Sequence, residues 1–381
     1  MKNLETLIQE LCPDGVEFVK LGDCCNFRRG TTITAKNAVP GDVPVLAGGQ
    51  KPAYYHNEAN RIGKTIVVAG SGAYAGFVSY WDIPVFLSDS FSVEPDERLS
   101  VKFVFYFLKN IQQKIFSTKK GSGVPHVHGS SIAKFEIPLP PLEVQTEIVR
   151  ILDKFTSLEA ELEAELDCRK RQYEYYRDKL LSFENAGGQE VEWKKMSEIV
   201  TFKNGKGHEK SIDGNGKYIV VNSKFISTNG KVKKYTNSQL CPVYKNSILM
   251  VMSDLPKGRA LAKCFLVNED DKYSLNQRVC CFEIKDCTTL VKYLYFQLNR
   301  NRQLLRFDNG VDQTNLRKND ILNISIPIPP LAEQERIVSI LDLFESLTTS
   351  LQSGLPAEIA ARRQQYEYYR DKLLTFKRKA S

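Results

Sequence analysis

One stretch of this chain occurs twice, and any fold must account for that first. The first copy opens as Ile137-Pro-Leu-Pro-Pro-Leu-Glu-Val-Gln-Thr-Glu-Ile-Val-Arg-Ile-Leu-Asp-Lys-Phe155 and closes as Gln172-Tyr-Glu-Tyr-Tyr-Arg-Asp-Lys-Leu-Leu181. The second opens as Ile326-Pro-Ile-Pro-Pro-Leu-Ala-Glu-Gln-Glu-Arg-Ile-Val-Ser-Ile-Leu-Asp-Leu-Phe344 and closes with the same ten residues, Gln365 to Leu374. Chance does not write such a decapeptide twice in 381 residues, so the chain is a long-period repeat.

Each copy predicts a long helix with a marked start. The paired prolines Pro140-Pro141 and Pro329-Pro330 hold the preceding residues extended, and a helix accepts Pro only in its first turn. Glu143, Glu147, Glu333 and Glu335 follow, where the helix dipole favours negative charge. Copy one then runs without Gly or Pro. Ile148, Leu152, Phe155, Leu162, Leu166, Tyr173, Tyr176, Leu180 and Phe183 form an apolar stripe fit for a partner helix. Copy two carries a matching seam: Ile337, Leu341, Phe344, Leu347, Leu351, Leu355, Ile359, Tyr366, Tyr369 and Leu373. It has four extra residues between Phe344 and Arg362, and Gly354-Leu-Pro356 should kink or break it. A helix of roughly 42–46 residues spans on the order of 65 Å. Two matching seams in one chain most simply bury each other.

Two globular blocks alternate with the helices. In residues 1–136, Leu4, Leu7, Ile8 and Leu11 predict a short amphipathic helix stopped by Pro13-Asp-Gly15. Strand-like runs follow at 16–21, 43–46, 65–68, 77–81, 85–87 and 91–93. A helix is expected over 101–116, a loop over 121–131 and a last strand over 134–137. Residues 190–325 keep that order. Val16-Glu-Phe-Val-Lys-Leu-Gly-Asp23 corresponds to Val191-Glu-Trp-Lys-Lys-Met-Ser-Glu198, and Phe27-Arg-Arg-Gly30 to Phe202-Lys-Asn-Gly205. Lys102-Phe-Val-Phe-Tyr-Phe-Leu108 corresponds to Lys292-Tyr-Leu-Tyr-Phe-Gln-Leu298, and between these anchors the blocks have little in common. The aromatic runs read as core. The expected fold class is mixed α+β: two similar globular domains joined by two long helices packed as an antiparallel coiled coil with pseudo-two-fold symmetry. That is the logic of a symmetric dimer written into one chain.

Bulk properties exclude several classes. At 381 residues the chain is too long for one core, and no apolar run approaches the roughly 18 residues of a membrane span. The first ten residues lack a signal-peptide core, which points to the cytoplasm. Nine cysteines, with adjacent pairs at Cys24-Cys25 and Cys280-Cys281 and no C-x-x-C, fit reduced buried thiols and neither a disulfide framework nor zinc. Four scattered histidines suggest no metal centre. The net charge of +8 is uneven: +2 for 1–136, −4 for 137–189, +9 for 190–325 and +1 for 326–381. A basic block inside a neutral scaffold points to nucleic acid.

These motifs resemble the specificity subunits of type I restriction–modification systems over essentially the whole chain. The residues that carry the resemblance are Pro138-Leu-Pro-Pro-Leu-Glu-Val-Gln145, Ile148-Val-Arg-Ile-Leu-Asp-Lys-Phe155, the repeated decapeptide, and Gly354-Leu-Pro-Ala-Glu-Ile-Ala-Ala-Arg362. The resemblance implies that 1–136 and 190–325 are target-recognition domains, each reading one half of a bipartite site on double-stranded DNA. It implies that the helical regions 137–189 and 326–381 act as a ruler and as docking surface for two methyltransferase subunits. A restriction translocase–nuclease subunit is a further implied partner. The chain itself would then have no active site, and S-adenosylmethionine, ATP and Mg would belong to its partners.

The residues agree on the negative side. There is no Asn-Pro-Pro-Tyr/Phe amino-methyltransferase motif. Gly63-Lys-Thr65 resembles the end of a P-loop, but Glu58 stands where its first Gly is needed. Glu283-Ile-Lys285 reads as a strand-end charge pair, and Gly70-Ser-Gly72 and Gly205-Lys-Gly207 as turns.

Base readout needs Arg or Lys for guanine, Asn or Gln for adenine and acids for cytosine, while phosphate contacts need Lys, Arg or backbone N–H. The loop candidates in the first block are Arg28, Arg29, Gln50, Lys51, Tyr54, His56, Tyr74, Lys119, Lys120, His126 and His128. In the second they are Lys203, Lys206, His208, Asn222, Lys224, Lys231, Lys233, Lys234, Lys257, Arg259, Gln277, Arg278, Gln313, Asn315 and Arg317. Tyr173, Tyr175, Tyr176 and Arg177, with Tyr366, Tyr368, Tyr369 and Arg370, cover more than one helix face. Of these, Tyr173, Tyr176, Arg177, Tyr366, Tyr369 and Arg370 are candidate anchors for a methyltransferase. Packing within the chain's own helix junction is the competing reading. Two other function classes stand beside DNA recognition: a two-headed protein-binding adaptor with a coiled-coil spacer, and a stand-alone enzyme using the Gly-rich loops.

Overall fold

The Ile-Pro-x-Pro-Pro-Leu motif ends one element and starts the next. Ile137 and Ile326 are fully buried strand residues. Ile137 lies in Glu136–Leu139, paired antiparallel with Glu17–Lys20, and Ile326 in Ser325–Ile328, paired with Glu192–Lys195. Burying such a side chain contributes about 1.5–3 kcal/mol. Pro138 and Pro327 are tolerated because each strand has a single partner and an open edge. The first of these strands lies two residues later than 134–137. A short helix, Gly129–Ile132, precedes it, and the Ala133 and Phe135 carbonyls accept from Gly22 and Leu21.

The structure, a computed structural model, describes residues 4–121, 123–183, 191–256, 258–349 and 354–379. The chain forms two compact units, Met1–Glu165 with Ala357–Ser381, and Leu166–Pro356. The division falls within the helical regions, so each globe keeps the start of its own region and the end of the other.

In the first unit an antiparallel sheet runs Cys25–Arg29, Ser90–Pro95, Thr65–Ala69, Val78–Trp81. A second sheet centres on Val43–Leu46, antiparallel to Tyr54–His56 and parallel to Phe86–Leu87. Helix Val101–Asn110 buries Phe103, Val104, Tyr106, Phe107 and Leu108 in a core with Ile66, Val68, Phe91 and Val93. The aromatic run is core, as expected. The helix expected over 101–116 is two helices: it breaks at Ile111 and resumes as Gln112–Phe116. Gln112 opens the second piece. Its Oε1 accepts from Val78 N at 3.0 Å and its Nε2 donates to the Gly76 carbonyl at 2.7 Å, so it serves the neighbouring sheet.

The C-terminal segment closes on this same unit. Val16 donates to the Lys377 carbonyl and accepts from the Lys379 amide, both at 2.9 Å. Gly15, at φ +94°, stands where a Cβ would run into the Lys377 carbonyl. Leu373, Leu374 and Phe376 pack on the core.

The second unit follows the same plan with different residues. Its main sheet runs Val200–Asn204, Val279–Ile284, Ile248–Val251, Cys264–Leu266. Its smaller sheet centres on Tyr218–Val221, antiparallel to Tyr235–Thr236 and parallel to Tyr273–Leu275. Helix Val291–Leu298 buries Tyr293, Leu294 and Phe296. Interiors that share little sequence therefore share one topology, and the fold class is mixed α and β.

Leu142–Ser182 is a single 41-residue helix, whereas the second region is two 19-residue helices, Leu331–Thr349 and Leu355–Leu373. Gly354 has φ +78° and Pro356 stands in the first turn of the last helix, which together break the second copy. Within the first unit, Phe155 stacks on Tyr369 at 5.5 Å and meets Tyr366 at 6.5 Å. Arg363 pairs with Glu159 at 2.5 Å and also with Glu163. Numbers rise on one helix as they fall on the other, so the pair is antiparallel. In the second unit Phe344 makes the matching contacts, to Tyr176 at 5.8 Å and Tyr173 at 6.4 Å.

The seam is not one uninterrupted stripe. Ile148 and Leu152 sink into the first globe's core, and Ile337 and Leu341 cluster with Tyr293 and Phe296 of the second. Leu162 and Leu166 are only half-buried and Leu347 is exposed, while Leu351 lies outside the described residues.

A buried glutamine fixes each helix to its globe. Gln145 Oε1 accepts from the Ser100 amide at 2.8 Å, and Nε2 donates to the Arg98 and Pro140 carbonyls at 2.9 and 2.8 Å. Gln334 makes the same three bonds, to the Leu290 amide and the Thr288 and Pro329 carbonyls, each at 2.8 Å. An ion pair repeats beside each: Lys102–Asp153 at 2.6 Å and Lys292–Asp342 at 2.5 Å.

Candidate DNA interface

Several loops distant in sequence meet at one end of the first unit's main sheet. Gly70 N donates to the Asp89 carbonyl, and on its other side Val127 N donates to the Gly70 carbonyl, both at 2.9 Å. His126 bridges Ser71 and Lys120, and Gly72 N donates to the Pro125 carbonyl at 2.9 Å. Gly48 packs so closely that a Cβ would run into the Ser71 carbonyl, which brings in the loop carrying Gln50 and Lys51. Lys51, Lys120 and His128 are exposed here. His126 Nδ1 is bonded to the Val124 carbonyl at 2.7 Å, and its ring stacks at 6.4 Å on that of His128. Lys119 is half-spent, with Nζ on the Ala73 carbonyl at 3.1 Å and over the Phe116 ring at 4.5 Å. Tyr54 is turned to scaffolding, donating its hydroxyl to the Ile33 carbonyl at 2.6 Å.

Arg28 and Arg29 are exposed at the end of their strand. The buried Arg61 guanidinium holds their carbonyls at 3.0 and 3.2 Å and meets Glu94 at 3.3 Å.

The second unit places its candidates more compactly. Asn222, Lys224, Lys234, Gln277 and Arg278 line one concavity of about 330 Å³, with Ser223 and Asn276. Lys206 joins its edge by a bridge to Asn276. Among the described residues, Ser223 Oγ is a buried polar atom without a hydrogen-bond partner. Met252 N donates to the Arg278 carbonyl at 3.0 Å, and Leu316 N donates to the Met252 carbonyl at 2.8 Å. Ser253 pairs with Asn315, and Gln313 Nε2 donates to Ser253 Oγ at 2.8 Å. Gln313, Asn315 and Arg317 line a second concavity of about 340 Å³. Lys231 and Lys233 are exposed on the loop before Lys234. Arg259 is exposed on a loop held by Asp254, whose Oδ2 accepts from Ala260 N at 2.7 Å. Lys257 lies outside the described residues.

Two candidates are corrected by their burial. His56 is 6% exposed, with Nδ1 3.1 Å from both the amide and the carbonyl of Val39 and its ring edge-on to Phe86. His208 is fully buried between Ser274 Oγ and the Lys206 carbonyl, each at 2.7 Å. Both pin loops and neither can meet a ligand. Asn222 and Lys203 are partly committed as well: Asn222 Oδ1 caps a short helix through Phe225 N at 2.9 Å, and Lys203 Nζ donates to the Pro242 carbonyl at 2.8 Å.

The helix tyrosines divide by face, in the same way in both copies. Tyr173 and Tyr366 are half-buried, and burial pushes the Tyr173 hydroxyl up to about 12. Arg177 is bonded to Asp178 at 2.8 Å, and Arg370 to Asn110 and Asp371, both at 2.9 Å. Tyr176 and Tyr369 stack on the seam phenylalanines yet stay 43% and 41% exposed. Tyr175 and Tyr368 are the outward pair, 61% and 62% exposed.

Among the described residues no group of three or more His, Cys, Asp or Glu converges on a point that could hold a metal. Seven of the nine thiols are buried, and burial pushes Cys281 up to about 12, far from a thiolate at neutral pH. Lys285 Nζ is bonded to the Ser197 carbonyl at 2.7 Å, so it is committed where its strand ends. No described helix is long and apolar enough to cross a membrane.

Comparison with known proteins accounts for this arrangement. The profile of the family described as type I restriction modification DNA specificity domain matches twice, over residues 13–167 and 189–361. The chain is 30% identical to the type I restriction enzyme EcoR124I/EcoR124II specificity subunit of Escherichia coli, over 99% of this chain and 97% of that one. The crystal structure of the type I restriction–modification S subunit from M. genitalium superposes with a TM-score of 0.60 at 17% identity, over 94% of this chain and 96% of that one. A chain solved for complex assembly and conformational transition of the type I R-M system gives 0.59 at 16% identity, over 95% and 98%. At such identity the two structures speak for the fold alone. With both halves matched by the profile and nearly its whole length by a specificity subunit, the chain belongs to the family of type I restriction–modification DNA specificity subunits.

Proposed function

We propose that this chain supplies the sequence recognition of a type I restriction–modification complex without catalysing a step itself. Each globular domain reads one half of an asymmetric, split site on double-stranded DNA, in the cytoplasm. The helical regions set the separation of the two halves and dock two methyltransferase subunits, and a restriction translocase subunit joins the assembly. S-adenosylmethionine, ATP and Mg act on those partners. The observation that carries the reading is that two domains of one topology place different polar side chains at equivalent loops. The first offers Lys51, Lys120, His126 and His128, and the second Lys206, Lys224, Lys234, Gln277, Arg278, Asn315 and Arg317. Constant geometry with variable readers is what recognition of two different half-sites needs. For docking, the outward Tyr175 and Tyr368, with the exposed edges of Tyr176 and Tyr369, are better placed than the inward Tyr173 and Tyr366.

The test is the methylome of a methylation-free host expressing the chain with its cognate methyltransferase. A single motif of two short defined halves around an undefined spacer is expected, and expression of the chain alone should leave the genome unmodified. A continuous motif, or no modification with both proteins soluble and associated, contradicts the reading.

A further inference from the structure

The two domains can be aligned by backbone bonds rather than by sequence. Gly70 N to the Asp89 carbonyl matches Met252 N to the Arg278 carbonyl. Val127 N to the Gly70 carbonyl matches Leu316 N to the Met252 carbonyl, and the Ser71–His126 bridge matches the Ser253–Asn315 pair. Thr31 N to the Leu87 carbonyl matches Lys206 N to the Leu275 carbonyl. Buried Val127 and Leu316 then coincide, as do buried Ile132 and Ile321, and the strands Glu136–Leu139 and Ser325–Ile328. Asp89 and Arg278 thus hold one structural position with opposite charge.

We propose that this position reads a base in each half-site: Asp89 selects a base presenting an exocyclic amino group in the major groove, and Arg278 selects guanine. The proposal rests on the DNA-reading function above. A carboxylate at this junction of loops repels phosphate, so a DNA contact made by it is to a donor. The edge donors are the amino groups of cytosine and adenine. Ser71 Oγ donates to Asp89 Oδ2 and fixes the carboxylate at the junction of the loops. Arg278 is exposed on the rim of a concavity shared with Asn222, Lys224, Lys234 and Gln277. A guanidinium there suits the paired acceptors of guanine, and flanking lysines suit the adjacent phosphates.

The experiment uses the chain assembled with its methyltransferase and duplexes carrying the motif found in the methylome. Asp89→Asn should lower methylation of the split site about tenfold and relax the preference at one amino-bearing base of the first half, with base preferences in the second half unchanged. Arg278→Gln should do so at one guanine of the second half alone. Loss of fold is separated from loss of readout by probing the unaltered protein. Duplexes in which each cytosine or adenine of the first half except the methyl-accepting base lacks, one at a time, its amino group should cost about tenfold at one position, and Asp89→Asn should add nothing further there. Variants that methylate both halves with wild-type preference, or an amino deletion whose cost adds fully to that of Asp89→Asn, overturn the proposal while leaving a split motif intact. Absence of a split motif in the wild type would instead overturn the DNA reading beneath it.

Discussion

Gln145→Leu should lower the unfolding temperature of the transition carrying the first unit by roughly 6 to 12 °C, a loss of about 3 kcal/mol for a unit of this size. Leucine fills the space but leaves the Ser100 amide and the Arg98 and Pro140 carbonyls without their partner around a fully buried side chain. Each such orphan costs on the order of 1–3 kcal/mol, and the carbonyls, with a second lone pair each, lie at the low end. Ser100 also caps helix Val101–Asn110 through Phe103 N at 3.1 Å, so the damage spreads to the element that carries the core aromatics. Gln334→Leu should behave alike in the second unit, because it breaks the same three bonds. Gln113→Leu, at an exposed position, is the control. Scanning calorimetry decides, since two-domain chains need not melt in one step. Equal shifts for Gln145→Leu and Gln113→Leu would show that the joint is not held as described.

The second large effect is electrostatic. Lys206→Ala, Lys224→Ala and Lys234→Ala together should weaken DNA binding by the assembled complex by about 100-fold at low salt. They should also reduce the slope of log affinity against log salt by about 3, close to one unit for each phosphate no longer neutralised. The three lysines sit around one concavity and its edge, where the proposed interface would meet the phosphates that flank a half-site. The methylated motif should stay the same, because phosphate contacts position the duplex without specifying it. Fluorescence anisotropy across a salt series measures the slope. An unchanged slope would place the duplex elsewhere on the second domain.

Much of this was written in the sequence, and the repeat is the reason. The spacing from Ile137 to Ile326 continues backwards without a gap to His126 and Asn315, so part of the equivalence of the two reading faces lay in plain view. Beyond Val127 and Leu316 the loops differ in length, and only backbone hydrogen bonds recover the match. Asp89 carries no such signal, because DNA contacts are sought first among basic and amide groups. Only its bonded neighbours place it at the junction of the loops. His56 and His208 misled for the opposite reason. A histidine in a loop-rich stretch looks available, yet His56 is held by the backbone of Val39, and His208 by Ser274 Oγ and the nearby Lys206 carbonyl. Apolar periodicity revealed the seam but not its division, since a stripe cannot say whether Ile148 faces a helix or a globe. The closure of Lys377 and Lys379 on Val16 has no local signal either, because two backbone bonds and a crowded glycine leave no side-chain pattern.

The central claim is that the two domains read their half-sites independently. It is tested most directly by exchanging residues 190–325 for the corresponding domain of another specificity subunit and sequencing the methylome with the cognate methyltransferase. The account predicts a new split motif in which one half and the spacer length are retained and only the other half is replaced. A motif changed in both halves, or one unchanged despite the exchange, would contradict it.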